Sequence, residues 1–256
     1  MTSESTRPVV LAIQNDPTTP AALVGEWLEE DGLRVDVVGA CFGDVVPTEV
    51  PDGVHAVLSL GGAMGANDDD IAPWLVDERS LLADAVARDI PVLGLCLGGQ
   101  LLAKATGGVV ELGPVTEIGV TLVQRTVDGL LDEITSQAIP VRGGDIPAPQ
   151  WHQDHITTLP DAAVLLMTND ACRVQAFRLG DTAYGLQMHP EVTPEIFASW
   201  ADVADEALER SGRDAREASA EVSAAEPDVI AAWRPVTRAW GELVWKRSGI
   251  SVPSSP

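Results

Sequence analysis

The first 108 residues alternate short apolar runs with longer stretches of helical periodicity, and few folds accept that order. "PVVLAIQ" at 8–14, "LRVDVVGA" at 33–40, "GVHAVLSL" at 53–60 and "PVLGLC" at 91–96 have the length and branched side chains of buried strands. Between the first two, "TTPAALVGEWLEEDG" puts Leu23, Trp27 and Leu28 on one helical face and stops at Gly32. "PWLVDERSLLADAVARD" carries Pro73 at its start, where a helix tolerates it. "LGGQLLAKATGG" closes on glycines. Such a chain predicts an α/β fold, with a mostly parallel central sheet flanked by helices on both faces. The 256 residues, 45% of them hydrophobic, suffice for one such domain with elaborations.

Beyond residue 108 the pattern changes. "VTEIGVTLVQRT", "AAVLLMTND", "CRVQAFRLG" and "TAYGLQMHP" read as further strands, partly antiparallel, and "VRGGDIPAPQ" reads as a loop. After Pro194 the chain turns helical and acidic, with one or two helices broken at Ser211-Gly212. Trp233, Val236, Trp240, Leu243 and Val244 follow at helical spacing, as core contacts. Pro235 in that stretch should sit near a helix start or kink the helix. The last residues, SVPSSP, read as disordered. The expected organisation is a main α/β domain over 1–200 and a helical extension over 201–256 packed on it.

The net charge of −23, from 39 acidic and 16 basic side chains, argues against phosphate-mediated nucleic-acid binding and against anionic membranes. No run reaches the roughly 18–20 apolar residues of a membrane helix, and the N-terminal residues lack the pattern of a secretory signal. Cys41, Cys96 and Cys172 are far apart and form no metal-binding or redox pair, which suits reduced thiols in a cytoplasm.

Gly94-Leu95-Cys96-Leu97-Gly98 is a G-x-C-x-G sequence at a strand-to-helix junction. It is the cysteine form of the nucleophile elbow, a sharp turn that lifts the reactive side chain clear of the sheet. Strand and helix approach closely there, which calls for glycines on both sides. The helix N-terminus beginning at Leu97 favours the thiolate, the nucleophilic form.

A thiolate nucleophile needs a base and a group to orient that base. "MHPEV" supplies His189 and Glu191, two residues apart after a β-type run, so that strand alternation puts both on one side. "LSLGGAMG" ends a strand on Gly61 and Gly62, where bare backbone at the carboxyl edge of the sheet can approach a ligand. Gln100 lies one helical turn beyond Cys96 and can face the same pocket. Asp68, Asp69 and Asp70 read as a solvated loop rather than a metal site, and no phosphate loop follows the glycines.

Together, "GLCLGGQ" and "MHPE" resemble the class I glutamine amidotransferases. "GGAMG", followed by paired aspartates and "PWL", is similar to the glutaminase domain of GMP synthase and to its stand-alone relatives, and the resemblance covers roughly residues 8–200. It implies a flavodoxin-like sheet and a Cys-His-Glu triad of Cys96, His189 and Glu191. It also implies an oxyanion site at Gly62 and Leu97, and substrate contacts from Gln100 and Gly61. "WHQDHI" resembles the His-x-Asp segment bordering the glutamine site, which adds His152 and Asp154; Gln153 stands where glycine is usual. His152 equally reads as an ordinary surface residue, as do His155 and His55. Gly99 stands where GMP synthase commonly has histidine, and no ATP-pyrophosphatase domain follows, so this chain does not itself make GMP.

The implied activity is glutamine hydrolysis through a γ-glutamyl thioester, with no metal and no organic cofactor. Ammonia would pass to an acceptor enzyme or synthetase subunit. The alternatives are a γ-glutamyl hydrolase acting on γ-glutamyl amines or peptides, a degenerate sensing or scaffold domain, and a cysteine peptidase of related fold.

Overall fold

The computed structural model describes residues 7–141, 143–201 and 205–250. The terminal SVPSSP segment lies outside them. Strands β1 (Val9–Gln14), β2 (Arg34–Gly39), β3 (Ala56–Ser59) and β4 (Val92–Leu95) alternate with helices α1 (Ala22–Glu30), α2 (Trp74–Ala87) and α3 (Leu97–Ala105). Then come β5 (Val109–Arg125), the short α4 (Val127–Leu131), β6 (Ile146–Thr158), β7 (Ala163–Thr168), β8 (Ala176–Leu179) and β9 (Ala183–Leu186). Helices α5 (Pro194–Ala201), α6 (Asp205–Ser211) and α7 (Ala215–Ser248) follow. One nine-stranded sheet runs β2-β1-β3-β4-β9-β8-β7-β5-β6. The β2 to β9 part is parallel and the rest antiparallel, so the sheet is an α/β sheet with an antiparallel wing.

Period-two alternation feeds both faces. Val10 and Ala12 of β1 point to one core with Leu58, Leu93, Trp233 and Trp240, under α1 and α7. Leu11 and Ile13 point to the other, with Val57, Leu81, Leu101 and Phe177, under α2 and α3. A smaller cluster joins Ile118, Phe197, Trp200 and Val222.

Two expectations change. "VRGGDIPAPQ" is not all loop, because Ile146–Gln150 open β6 and pair with β5 as far as Val123. Prolines are tolerated because β6 is the last strand of the sheet, where a missing N–H costs no ladder bond. Pro235 lies well inside α7, as does Pro227, so of the two alternatives the helix start falls away. Packing holds this stretch in place: Trp233, Val236 and Trp240 are buried on one side against the sheet. The helical break falls after α6, where Gly212 has φ +64°. Among the described residues no helix is long and apolar enough to cross a membrane.

Candidate active site

Cys96 sits between β4 and α3 with φ +49° and ψ −108°, a backbone state that non-glycine residues rarely adopt. Its N–H donates to the Leu186 carbonyl of β9 at 2.8 Å, and its carbonyl accepts from Gln100 N–H at 3.0 Å. The flanking glycines are forced by contact. A Cβ on Gly94 would lie 2.6 Å from the Gly98 carbonyl, and one on Gly98 only 2.1 Å from the Ser59 oxygen. A Cβ on Gly99 would meet the Leu186 oxygen at 2.9 Å, so a side chain there has no room.

His189 and Glu191 lie in the turn that follows β9, not on the strand itself. They still pair, with Nδ1 2.7 Å from the Glu191 Oε1, and both are buried. Burial alone would push the imidazole down. The Cys96 sulfur and the Glu191 carboxylate, both in hydrogen-bonding reach, outweigh it and raise the pKa to about 10. The Glu191 backbone oxygen holds Leu23 N–H at the start of α1. The indole of Trp200 covers the imidazole.

The free edge of β6 sets the spacing. Residues two apart present their carbonyls on the same side. Pro147 O accepts from Trp233 Nε1 at 2.7 Å, Pro149 O from His189 N–H at 2.9 Å, and Trp151 O faces the Cys96 sulfur at 3.9 Å. One edge thus touches the core helix and two of the three sequence-predicted triad residues.

A cavity of about 280 Å³ opens over the cysteine, lined by Cys96, His189, Gly62, Leu97, Gln100, His152 and Asp154 together with Trp151 and Trp200. Gly61 and Glu191 stand behind this wall; a Cβ on Gly61 would lie 3.0 Å from His189 Cε1. The N–H of Leu97, at the first position of α3, has no acceptor within its own helix. The Gly62 loop is tied down by Asn67 Nδ2 on Val110 O at 3.0 Å and by Lys104 Nζ on Ala66 O at 3.0 Å. Asp69 spends its carboxylate on Arg79 (2.7 Å twice), and Asp68 accepts Gly65 N–H at 2.7 Å, so both serve the loop.

Gln100 reaches the site differently from expectation. Its Nε2 donates to Asp154 O at 3.1 Å and to Gln187 Oε1 at 3.2 Å. Gln187 in turn directs its own Nε2 at the Cys96 sulfur, 3.6 Å away. Sequence reading missed Gln187, although it stands two residues before His189. It also missed Trp200.

His152 and His155 are buried, not surface residues. His152 Nε2 lies 3.1 Å from Glu117 Oε2 and its Nδ1 3.0 Å from Asp154 O. Burial would raise the Glu117 pKa, but His152, Asn169 and Gln175 around it hold it below the usual range. Asp154 is pushed up, by burial and by the Asp68 carboxylate. The ligand atoms of His152, His155 and Cys172 lie within 4.8 Å of one another. They are already engaged, His155 with Val115 O at 2.8 Å and the Cys172 thiol with Val174 O at 3.6 Å, while burial pushes that thiol up to about 12. His55 accepts Val9 N–H at 3.1 Å, remote from the cavity.

The pattern for class-I glutamine amidotransferases matches residues 44–199, more than half of the chain. The chain belongs to this family. It is 31% identical over 208 residues to γ-glutamyl peptidase 5 of Arabidopsis thaliana, covering 78% of each chain. It is 30% identical over 176 residues to the glutamine-hydrolysing GMP synthase of Aeropyrum pernix, which covers 67% of this chain but 31% of that longer enzyme. A glutamine amidotransferase from Thermotoga maritima superimposes with a TM-score of 0.78 at 27% identity, covering 92% of this chain and 99% of its own.

Proposed function

We propose that this amidotransferase hydrolyses the γ-carboxamide of L-glutamine through a γ-glutamyl thioester on Cys96. The observation that carries the reading is the convergence of Cys96, in its strained backbone state at a strand end, with the buried His189–Glu191 pair at 2.7 Å. The Cys96 thiolate attacks the amide carbon. The N–H groups of Gly62 and Leu97 receive the developing oxyanion; such a donor is worth about 2.7–4 kcal/mol. His189, held as imidazolium by Glu191, gives its proton to the departing ammonia and then takes one from the water that cleaves the thioester. Glutamate leaves, and sulfur and histidine return to their starting forms. Gln100, Gly61, His152 and Asp154 shape the glutamyl subsite. The proposed steps call on no metal or organic cofactor.

Ammonia passes to an acceptor enzyme or synthetase subunit in this reading, supported by the likeness to a glutamine-hydrolysing GMP synthase. A thiol nucleophile calls for a reducing compartment, and we place the protein in the cytoplasm. We also infer that residues 201–256 extend the catalytic unit of 1–200 rather than forming a body apart, because Trp233 and Trp240 share a core with β1, β3 and β4. A second reading, hydrolysis of γ-glutamyl peptides, is favoured by the relative of that activity matched over 78% of both chains.

The test is intact mass after treatment with 6-diazo-5-oxo-norleucine, a glutamine analogue that alkylates the nucleophile. One adduct on Cys96, blocked by excess glutamine, is expected. A Cys96→Ala variant that releases ammonia from glutamine at the wild-type rate would sink the assignment.

A further inference from the structure

Beneath the Gly61-Gly62 loop lies a carboxyl that the proposed chemistry does not use. Glu78 of α2 is wholly buried. Its Oε1 accepts from Ser59 Oγ at 2.6 Å and from Asn15 Nδ2 at 3.4 Å, whereas its Oε2 has no hydrogen-bond partner. The cation beside it is Arg79 on the same helix, and that guanidinium is spent on Asp69 and on the Ala66 carbonyl. Lys104 of α3 reaches the same loop through Ala66 O. The groups that meet Glu78 from β3 and from the end of β1, Ser59 and Asn15, do not titrate.

Those two partners lead to the two halves of the oxyanion site. Asn15 Nδ2 also donates to Leu60 O at 3.2 Å, and its Oδ1 accepts from Trp74 Nε1 at 2.9 Å. Its Cβ would lie 3.2 Å from a Cβ placed on Gly62. Ser59 carries the carbonyl that crowds Gly98, 2.1 Å from the place of a Cβ there. One side chain therefore underlies both Leu60–Gly62 and the turn from Leu97 to Gly98.

We propose that Glu78 is a positioning residue that sets the Gly62 and Leu97 N–H groups, and that it does so as a neutral carboxyl whose ionisation slackens the site. The inference rests on the oxyanion reading of those two groups. In the neutral form Oε1 accepts both bonds and the proton occupies Oε2. Loss of that proton leaves a buried anionic oxygen with nothing to answer it, which is costly. The layer must then rearrange or admit water. Burial is the dominant influence on this carboxyl; it outweighs the bonds from Ser59 and Asn15 and the field of Arg79, and places the transition at about 7. The chemistry above should therefore weaken as pH rises through neutrality.

Glu78→Gln keeps an acceptor for Ser59 and Asn15 and cannot ionise. Its kcat should stay close to wild type below pH 6 and lose the wild-type decline above neutrality. Glu78→Ala removes the acceptor, and its kcat should fall by about 10-fold or more, with KM little changed. Alkylation of Cys96 by iodoacetamide should match wild type in both. A decline in Glu78→Gln identical to wild type overturns the proposal, as does a Glu78→Ala variant that shifts KM and spares kcat. Thermal unfolding gives a readout free of turnover. A carboxyl raised in the folded state stabilises fully below its ordinary value of 4.5 and loses that contribution as pH rises to about 7. Wild type should lose stability relative to Glu78→Gln across that window. Turnover accompanied by a flat stability difference sinks the Glu78 proposal alone. No turnover of any γ-glutamyl amide sinks the functional reading and takes the oxyanion role with it.

Discussion

The indole of Trp200 lies against the imidazole of His189, with ring centroids 4.7 Å apart and planes inclined by 58°, and its Nε1–H donates to Thr18 O at 2.9 Å. The contact fixes the ring and keeps water from the His189–Glu191 bond. Inside such a dry wall a charged hydrogen bond counts for more than it would in solvent.

That environment makes the charge on Glu191 matter more than its shape. Glu191→Gln retains a group of the same size beside Nδ1 but removes the carboxylate that supports an imidazolium. The expected loss in kcat is about 10²–10⁴-fold, in the range of general acid–base assistance, with measurable activity left. Glutamate release assayed against glutamine concentration checks it. A variant at wild-type kcat would reduce Glu191 to a structural residue.

Gln187 offers a second handle on the proposed nucleophile. Gln187→Leu removes the N–H aimed at the Cys96 sulfur and the acceptor for Gln100 Nε2. Iodoacetamide should alkylate Cys96 more slowly at fixed pH, and kcat should fall more than KM rises. Gln100 Nε2 keeps its bond to Asp154 O, and the one N–H left bare should cost roughly 1–3 kcal/mol in urea unfolding. Unchanged alkylation would mean that the 3.6 Å contact does not act on the sulfur.

The raised pKa of His189 predicts a stability trend of its own. A histidine lifted in the folded state contributes stability that is complete below its ordinary value of 6.5 and disappears as pH climbs to about 10. The melting temperature should therefore drop across pH 6.5 to 10. His189→Gln should lack this drop. Cys96→Ala should move it to lower pH, because the Cys96 sulfur is one of the two groups that raise the value. Coincident curves for the three proteins would refute the coupling.

Two tryptophans of α7 allow a paired comparison. Trp233 and Trp240 are both fully buried, but Trp233 Nε1 donates to Pro147 O, whereas Trp240 Nε1 has no partner. Replacement by alanine should cost about 3–5 kcal/mol at either site. Replacement by phenylalanine should separate them, with the larger loss at Trp233, where a carbonyl is left bare, and the smaller at Trp240, where an unsatisfied N–H is removed. Equal losses in urea denaturation would contradict the distinction.

Much of the fold was legible in the chain because its signals are local. The strands of the parallel half are short apolar runs, and Gly94 and Gly98 state a backbone contact in the residue type itself. The pairing of His189 with Glu191 was legible for an incomplete reason: a turn with Pro190 at its centre brings them together, not strand alternation. Where partners are remote in sequence, the pattern was silent. Gln187 is an unremarkable residue until β9 lies beside Cys96, and Glu117 finds His152 only through the pairing of β5 with β6. The start of β6 was hidden because two prolines usually announce a loop, and nothing local says that a strand will occupy a sheet edge.

The helix that closes one face of the sheet has a consequence in time. Val10, Leu58 and Leu93 are made early, yet Trp233 and Trp240, which cover their face, emerge from synthesis long after Leu93. At about 5–20 residues per second that delay lasts roughly seven to thirty seconds. Throughout it the part of this face that α1 does not cover stays apolar and open. The same late helix anchors the β6 edge through Pro147, so the edge that faces Cys96 and His189 lacks that anchor until α7 has been made.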